Sequence, residues 1–341
     1  MATAFAAPTA SPLAWSTALE LPALLLMLFL LYAVGIVRHR PRTVRALRAA
    51  RRRFIAFCLG LVTLYVALAS PIDAIGEHYL FSVHMVQHVI LIYLVPMFLL
   101  RGLPPAWLSA WVSIPGMASL MRGLTHPVLA AVTFNVIFTA WHIPGLYEWA
   151  LRDPLVHRLE HAMILVSAWF MWWPILSPIP ALPRLAPGAQ VLYVLGLGIG
   201  QIPVVAYQTF GQTVFYPTYE AAQRLVALSP LEDQQLGGIV MKMASTAAFV
   251  AVLGRAFRRW YREANAPTRP AHAVRRPAAA YSELTRLQLG KADKRVEFLE
   301  GGIRQRFPSH GEPLSTRGPA AGRPPSALGQ CPGGHRPPDL G

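Results

Sequence analysis

Two pairs of histidines are spaced four residues apart at the starts of apolar stretches, His84 with His88 and His157 with His161. Residues four apart share one face of a helix, so each pair can present two imidazoles to the same space. A fifth histidine, His142, ends another apolar stretch. Neutral imidazole binds copper, zinc, iron and nickel, so these five histidines are candidate metal ligands.

Each of these histidines also has a simpler interpretation. A single histidine near the end of a membrane helix often only forms a hydrogen bond to a neighbouring helix. Ionisable groups in a membrane are costly, however, and five at one depth indicate a functional site. Because no thiolate is available, the ligand type alone does not choose among the metals that imidazole suits.

Two side chains near the histidines each have more than one possible role. Glu160 lies one turn from His157, where it is a candidate ligand or a partner that orients an imidazole. An equally weighted alternative is that Glu160 is an exposed carboxylate paired with Arg158 or Arg152. A thioether ligand from Met85 would favour Cu(I), although methionine in an apolar helix more often serves packing.

The elements that would position these side chains are transmembrane helices. Of the 341 residues, 54% are hydrophobic and only 14% are charged, which is too apolar for an ordinary soluble domain. The net charge of +15 comes from arginines beside apolar stretches and in the C-terminal region, a pattern typical of membrane orientation and not of nucleic-acid binding. We therefore predict an all-α, multi-pass protein in contact with the lipid bilayer and no nucleic-acid partner.

The apolar stretches predict a bundle of seven transmembrane helices. They cover approximately residues 19–37, 54–70, 80–100, 127–143, 157–176, 189–207 and 236–257. Eight arginines between Arg38 and Arg53 follow the first stretch, and the positive-inside rule places them in the cytoplasm. The N-terminus is thus expected outside and the C-terminus inside.

This threading divides the chain into three parts and assigns the connections. Residues 1–18 form an external segment, residues 19–262 the transmembrane domain and residues 263–341 a disordered basic cytoplasmic tail. Residues 71–79, and the segment that carries Tyr147, Glu148 and Asp153, are predicted as external loops. Residues 102–126 are predicted to contain a helix lying in the headgroup interface, since Trp107 and Trp111 suit that position.

Counting the helices places the five histidines at one membrane face. The two pairs start the third and fifth helices and His142 ends the fourth, and these ends all lie on the same side. Asp233, just before the seventh helix, joins them by the same count. Lys242 is a charge inside the seventh helix and is expected to face the bundle and pair with a polar group. Glu160, Asp233, Met85 and Lys242 are therefore candidates to surround the ligands.

Two motif-based alternatives involve a different chemistry. The sequence from His157 to His161 matches the H-x-x-E-H pattern of zinc proteases, which would indicate a membrane zinc hydrolase. Histidines on facing helices also serve as axial ligands of haem, which would indicate a haem-binding membrane redox protein. An absorption spectrum separates haem from copper, because only haem gives a Soret band.

The order of the motifs resembles that of the CtaG-type cytochrome c oxidase assembly factors. The matching residues, over about 20–260, are His84-x-x-x-His88 with Pro96 and Gly102-Leu103-Pro104, His126-Pro127, Trp141-His142-Ile143-Pro144, His157-x-x-Glu160-His161, Trp172-Trp173-Pro174 and Asp233-Gln234-Gln235-x-Gly237-Gly238.

This resemblance implies a function for the chain. Proteins of this type are multi-pass proteins of the bacterial cell (inner) membrane that support the assembly of haem–copper oxidases. The resemblance implies oxidase subunits as partners and copper as the metal that the histidines bind and deliver. The arginine pattern places these histidines at the outer face. We expect no catalytic turnover. The long basic tail departs from the family pattern.

Overall fold

The fold described here is that of a computed structural model, in which residues 11–38 and 43–265 are described. Within these ranges the chain is helical and contains no strand, which confirms the predicted all-α class. The helices are α1 (Glu20–Arg38), α2 (Val44–Ala69), α3 (Pro71–His78), α4 (Phe81–Val89), α5 (Val95–Gly102), α6 (Pro105–Val112), α7 (Met117–Leu124), α8 (Pro127–Trp141), α9 (Pro144–Arg152), α10 (Pro154–Leu176), α11 (Pro187–Phe210), α12 (Pro217–Ala221) and α13 (Pro230–Ala264).

Local sequence signals fix where the long helices begin. Asp153 accepts hydrogen bonds from the first backbone amides of α10, and Pro154 follows at the first helical position. Ser229 and Glu232 form a capping box at the start of α13, where each side chain accepts a bond from the backbone of the other. Proline suits the first turn of a helix because its missing N–H would have no partner there.

The described residues contain six or seven helices that could span a membrane by length and composition. Six helices are long and apolar enough to cross a bilayer, and the seventh span depends on α7 and α8, which are bent by 65° relative to each other. The predicted fourth span at 127–143 is therefore shorter than expected, because α8 has only 15 residues. At about 1.5 Å per residue it covers roughly 22 Å of a hydrocarbon core of about 30 Å.

Several predicted boundaries and loops were wrong. The predicted loop 71–79 is largely the helix α3, which Ser70 caps by accepting a hydrogen bond from the amide of Ile72. The segment with Tyr147 and Glu148 is also helical, as α9. Residues 102–126 contain two short helices, α6 and α7, in place of one.

The predicted spans also differ in length from the observed helices. The second span begins at Val44, ten residues earlier than predicted, and the last helix begins at Pro230, so Asp233 lies within it. Residues 1–10 and 39–42, and the predicted tail from residue 266 onward, lie outside the described residues.

The third span is interrupted by a π-helical segment, Ile90–Leu94, between α4 and α5. Pro96 has no N–H to donate to the carbonyl of Ile92, four residues earlier. The indole N–H of Trp172 on α10 donates to that carbonyl at 2.8 Å. The interruption lies directly after His88 and is held by a side chain from the neighbouring helix.

Candidate functional site

The five predicted histidines meet in the interior of the bundle. Their side chains come from α4, α10 and the residue that ends α8, and none is more than 6% exposed. The ring of His84 lies within 5.5 Å of the rings of His88, His157 and His161, measured between centroids. The ring of His142 lies 5.5 Å from that of His88. We call His84, His88, His142, His157 and His161, together with Glu160, the histidine cluster.

Three ring nitrogens of the cluster converge on one point. The Nε2 atom of His84 lies 3.0 Å from Nε2 of His88 and 3.4 Å from Nε2 of His161. Two imidazole nitrogens bound to one tetrahedral ion at about 2.0 Å are roughly 3.3 Å apart. The three nitrogens are thus spaced as ligands of a shared ion would be.

Glu160 adds a carboxylate to this convergence. It is completely buried, and its Oε1 atom lies 3.4 Å from Nε2 of His88. Together with His84, His88 and His161 it places four ligand atoms within 4.8 Å of one another. The alternative of an exposed carboxylate is not observed, because Arg158 pairs with Glu20 and Arg152 with Glu148.

Several polar atoms of the cluster have no partner among the described residues. Both carboxylate oxygens of Glu160, Nδ1 of His88, and Nε2 of His142 and His157 are buried without a hydrogen bond. A buried charge is costly unless it is paired or binds a metal. The converging donor set, with imidazole nitrogens and one carboxylate, suits a transition-metal cation, which could satisfy the Glu160 carboxylate.

Two tyrosines hold His84 from the side opposite the convergence. The hydroxyl of Tyr147 lies 2.9 Å and that of Tyr219 lies 3.1 Å from Nδ1 of His84. The Tyr219 hydroxyl donates a hydrogen bond to the carbonyl of Gly76 at 2.6 Å, so its oxygen can accept a hydrogen bond from a neighbour. If Nδ1 of His84 carries the ring proton, Nε2 keeps its lone pair for an ion.

Burial keeps these phenols neutral. The pKa of Tyr147 and that of Tyr219 are raised well above the ordinary value, chiefly because the buried phenolate would lose its hydration. Tyr147 lies in a segment that was predicted as an external loop, and neither tyrosine was among the predicted site residues. Their spacing along the chain relative to His84 carries no periodic signal, because they approach it from α9 and α12.

Asp233 supports the cluster through the backbone. Its carboxylate accepts hydrogen bonds from the amides of Phe81 at 2.8 Å and Ser82 at 3.1 Å, in the first turn of α4. A carboxylate at this position satisfies amides that have no partner within the helix. Asp233 therefore fixes the start of the helix that carries His84 and His88.

The other two predicted neighbours lie apart from the convergence. Met85 is fully buried, and its Cγ atom packs against Gly237 of α13. Lys242 makes no ion pair with any described residue, so its predicted polar partner is not observed. Nine residues separate Lys242 from Asp233 on α13, a distance of about 13 Å along the axis.

Comparisons with known proteins identify the family. Residues 30–263 match the model of the cytochrome c oxidase caa3 assembly factor family (Caa3_CtaG). Uncharacterized proteins of Mycobacterium bovis and Mycobacterium leprae are 24% and 23% identical over 227 and 231 residues. Each alignment covers 62% of this chain and 34% of the relative, so the chain spans about a third of the length of these relatives. No solved structure matches the chain. Because the family match includes most of its length, the chain belongs to the cytochrome c oxidase caa3 assembly factor family.

Proposed function

We propose that this protein supports the assembly of cytochrome c oxidase by binding copper as cargo and delivering it to an oxidase subunit. The observation that carries the proposal is the convergence of the Nε2 atoms of His84, His88 and His161 beside the buried carboxylate of Glu160. The family supplies the assembly role, and the cluster supplies the ligands for the cargo. We assign the protein no catalytic turnover.

The ligand types favour copper over other cargo. Imidazole and carboxylate ligands bind divalent first-row metals in an order that peaks at Cu²⁺. No described cysteine lies in the cluster, since Cys58 is on α2 and makes no ligand group with the histidines. A haem–copper oxidase requires copper for its own assembly, which makes copper the cargo that links the cluster to the family role.

The close packing of the rings favours an ion over a haem. Across the two helices, the ring of His84 lies 5.3 Å from that of His157, and the ring of His88 lies 5.4 Å from that of His161, between centroids. A haem bound by two axial histidines must lie between their rings, and these rings are already in contact. The burial of Glu160 likewise disfavours a zinc hydrolase, because a general base must reach a substrate or its water.

We also propose that the cluster lies near the outer face of the bacterial inner membrane. The arginines that follow α1 and those at the end of α13 support this orientation, since basic segments remain in the cytoplasm. Copper would then be released toward the side where the helices α3, α9 and α12 surround the cluster.

Metal analysis of the purified full chain tests the proposal. Protein reconstituted with copper should retain it, and His88→Ala and Glu160→Gln should each weaken the copper affinity about tenfold or more, as loss of even an orienting residue costs 10–100-fold. The same variants should lower the amount of assembled oxidase in cells while the protein itself still accumulates in the membrane.

His126→Ala is the matched control. His126 is exposed and immediately precedes α8, whereas His142 follows the other end of that helix. The variant therefore changes a histidine that lies far from the convergence. It should leave copper binding unchanged. Equal copper affinity in wild type, His88→Ala and Glu160→Gln, or an equal loss of affinity in His126→Ala, would contradict the proposed cargo.

A further inference from the structure

A second set of ligand-type side chains lies beside the histidine cluster. Asp73 on α3 and His157 and His161 on α10 place three ligand atoms within 4.8 Å of one another. All three residues line a cavity of about 490 Å³ between α1, α2, α3 and α10. His161 belongs to this set and to the buried convergence, so the two sets are joined through one side chain.

The carboxylate of Asp73 is oriented by a residue of the helix that carries the first pair of histidines. Gln87, between His84 and His88, donates to Oδ1 of Asp73 at 2.6 Å and to the carbonyl of Ala67 at 2.9 Å. No other hydrogen bond reaches the Asp73 carboxylate from the described residues. Its second oxygen is therefore available to a ligand in the cavity.

His157, which lines the cavity, has an unsatisfied ring nitrogen. It is 5% exposed, and its Nε2 atom has no hydrogen-bond partner among the described residues. Its Nδ1 atom lies 3.7 Å from Oε1 of Glu77, which also lines the cavity. A neutral imidazole whose Nδ1 faces a carboxylate has Nε2 free to bind a metal ion.

The charge of the cavity favours a cation. Three acidic residues line it, Glu20, Asp73 and Glu77, against one basic residue, Arg158. Arg158 pairs with Glu20 at 3.1 Å, and both side chains are more than half exposed, so this pair lies at the mouth. The acidic side chains thus outnumber the basic one in the lining, and a negative cavity raises the local concentration of cations.

We propose that Asp73, His157 and His161 form an entry site for Cu²⁺, through which the ion passes from this cavity to the buried convergence. The inference rests on the proposed copper-binding function and adds a route and a second ligand set to it. One carboxylate and two imidazoles suit a divalent transition metal. Because His161 is common to both sets, an ion changes sites by exchanging Asp73 and His157 for His84, His88 and Glu160. The two sites are therefore occupied in sequence.

Equilibrium and kinetic copper measurements on the full chain in detergent test the entry site. Wild type should bind one Cu²⁺ at saturation. His88→Ala, which leaves the entry set complete, should still bind one Cu²⁺, about tenfold or more weakly, and His88→Ala combined with Asp73→Asn should lose it. Asp73→Asn alone should reach the wild-type copper content after long incubation but load about tenfold more slowly. Asparagine keeps an oxygen that can accept from Gln87, so this substitution preserves the local packing.

Glu220→Gln is the matched control, because Glu220 is an exposed acid outside the cavity lining and its loss changes the net charge equally. It should load copper at the wild-type rate. If wild type binds copper but the double variant binds as much as His88→Ala, the entry site is wrong while the proposed function stands. If Asp73→Asn loads as fast as Glu220→Gln, the entry site is likewise wrong. If wild type binds no copper, both the proposed function and the entry site fail.

Discussion

The indole N–H of Trp172 and the carbonyl of Ile92 form a hydrogen bond of 2.8 Å between α10 and the π-helical segment. This carbonyl lies four residues before Pro96, which cannot supply the usual helical donor. Inside a membrane no water is available to donate a hydrogen bond to such a carbonyl, so a neighbouring helix must provide the donor. The bond therefore connects α10, which carries His157 and His161, with the span that carries His84 and His88.

Replacing Trp172 by phenylalanine should destabilise the protein by about 1–3 kcal/mol, because a buried acceptor is left without a donor. Trp173→Phe is a control of the same size and burial. Trp173 is also almost completely buried, but its indole N–H has no partner among the described residues. Thermal unfolding in detergent, followed by circular dichroism, should show a larger loss for Trp172→Phe. Equal losses would mean that the bond to Ile92 contributes nothing beyond packing.

Removing the hydroxyl of Tyr147 should weaken copper binding. The hydroxyl contacts Nδ1 of His84 at 2.9 Å and the hydroxyl of Tyr219 at 3.0 Å, so Tyr147→Phe removes a group that fixes the His84 ring. We expect copper affinity to fall about 10–100-fold, as is typical for partners that orient metal-bound histidines. Competition with a chelator of known copper affinity measures the change.

Tyr193→Phe separates this effect from general destabilisation. Tyr193 is also buried, and its hydroxyl donates to the carbonyl of Met171 at 2.8 Å, away from His84. The control should lose stability but keep its copper affinity. If both variants lose affinity to the same extent, Tyr147 acts through the fold and not through His84.

The meeting of the histidines was predictable from the sequence because it depends on regular geometry. A spacing of four residues fixes one helical face, and alternating helix direction places the two pairs and His142 at the same end. The sequence left open whether Glu160 is buried or exposed, because the burial of a residue between two histidines depends on how far α10 is rotated toward its neighbours. The π-helical segment and the bond from Trp172 contribute to that packing, and neither has a periodic pattern.

The roles of Tyr147 and Tyr219, and the contact by which Asp233 supports the site, could not be predicted for a related reason. Their partners lie far away along the chain, as when Asp233 caps the first turn of α4. Hydropathy assigned α3 and α9 to loops, because short helices between spans are no more apolar than a loop. How these residues hold the cluster in place is therefore seen only from the tertiary contacts.

Enlarging Gly102 should separate α5 from α2. A Cβ atom at Gly102 would lie 2.6 Å from the backbone nitrogen and 2.7 Å from the Cα atom of Phe57, and backbone atoms cannot rotate away. Gly102→Ala should therefore lower stability by about 1–3 kcal/mol, in the range of overpacked interiors. Gly254→Ala on α13 is the control, since nothing lies within 4 Å of its Cβ position. That variant should be neutral or stabilising by up to about 1 kcal/mol, because alanine favours the helix. Similar thermal unfolding of the two variants would contradict close contact between α2 and α5.

The orientation of the chain predicts opposite locations for the two ends of α13. Its 35 residues extend for about 52 Å, which exceeds a hydrocarbon core of about 30 Å, so a single crossing separates its ends. Arg255, Arg258 and Arg259 lie near its C-terminal end, which we expect in the cytoplasm. A reporter fused after Ala264 should therefore be cytoplasmic, and one inserted at the exposed Gln223 should be external.

Accessibility of single cysteines to a membrane-impermeant thiol reagent checks the same prediction without a large insertion. A cysteine in place of Gln223 should react in intact cells, whereas one in place of Asn265 should react only after the membrane is opened. Cys58→Ser and Cys331→Ser provide the background, because the chain contains only these two cysteines. Reaction of both positions in intact cells would mean that α13 does not cross the membrane. Reaction of Asn265→Cys alone would invert the topology and place the histidine cluster, with the cavity beside Asp73, near the cytoplasmic face, where copper would have to be loaded from inside the cell.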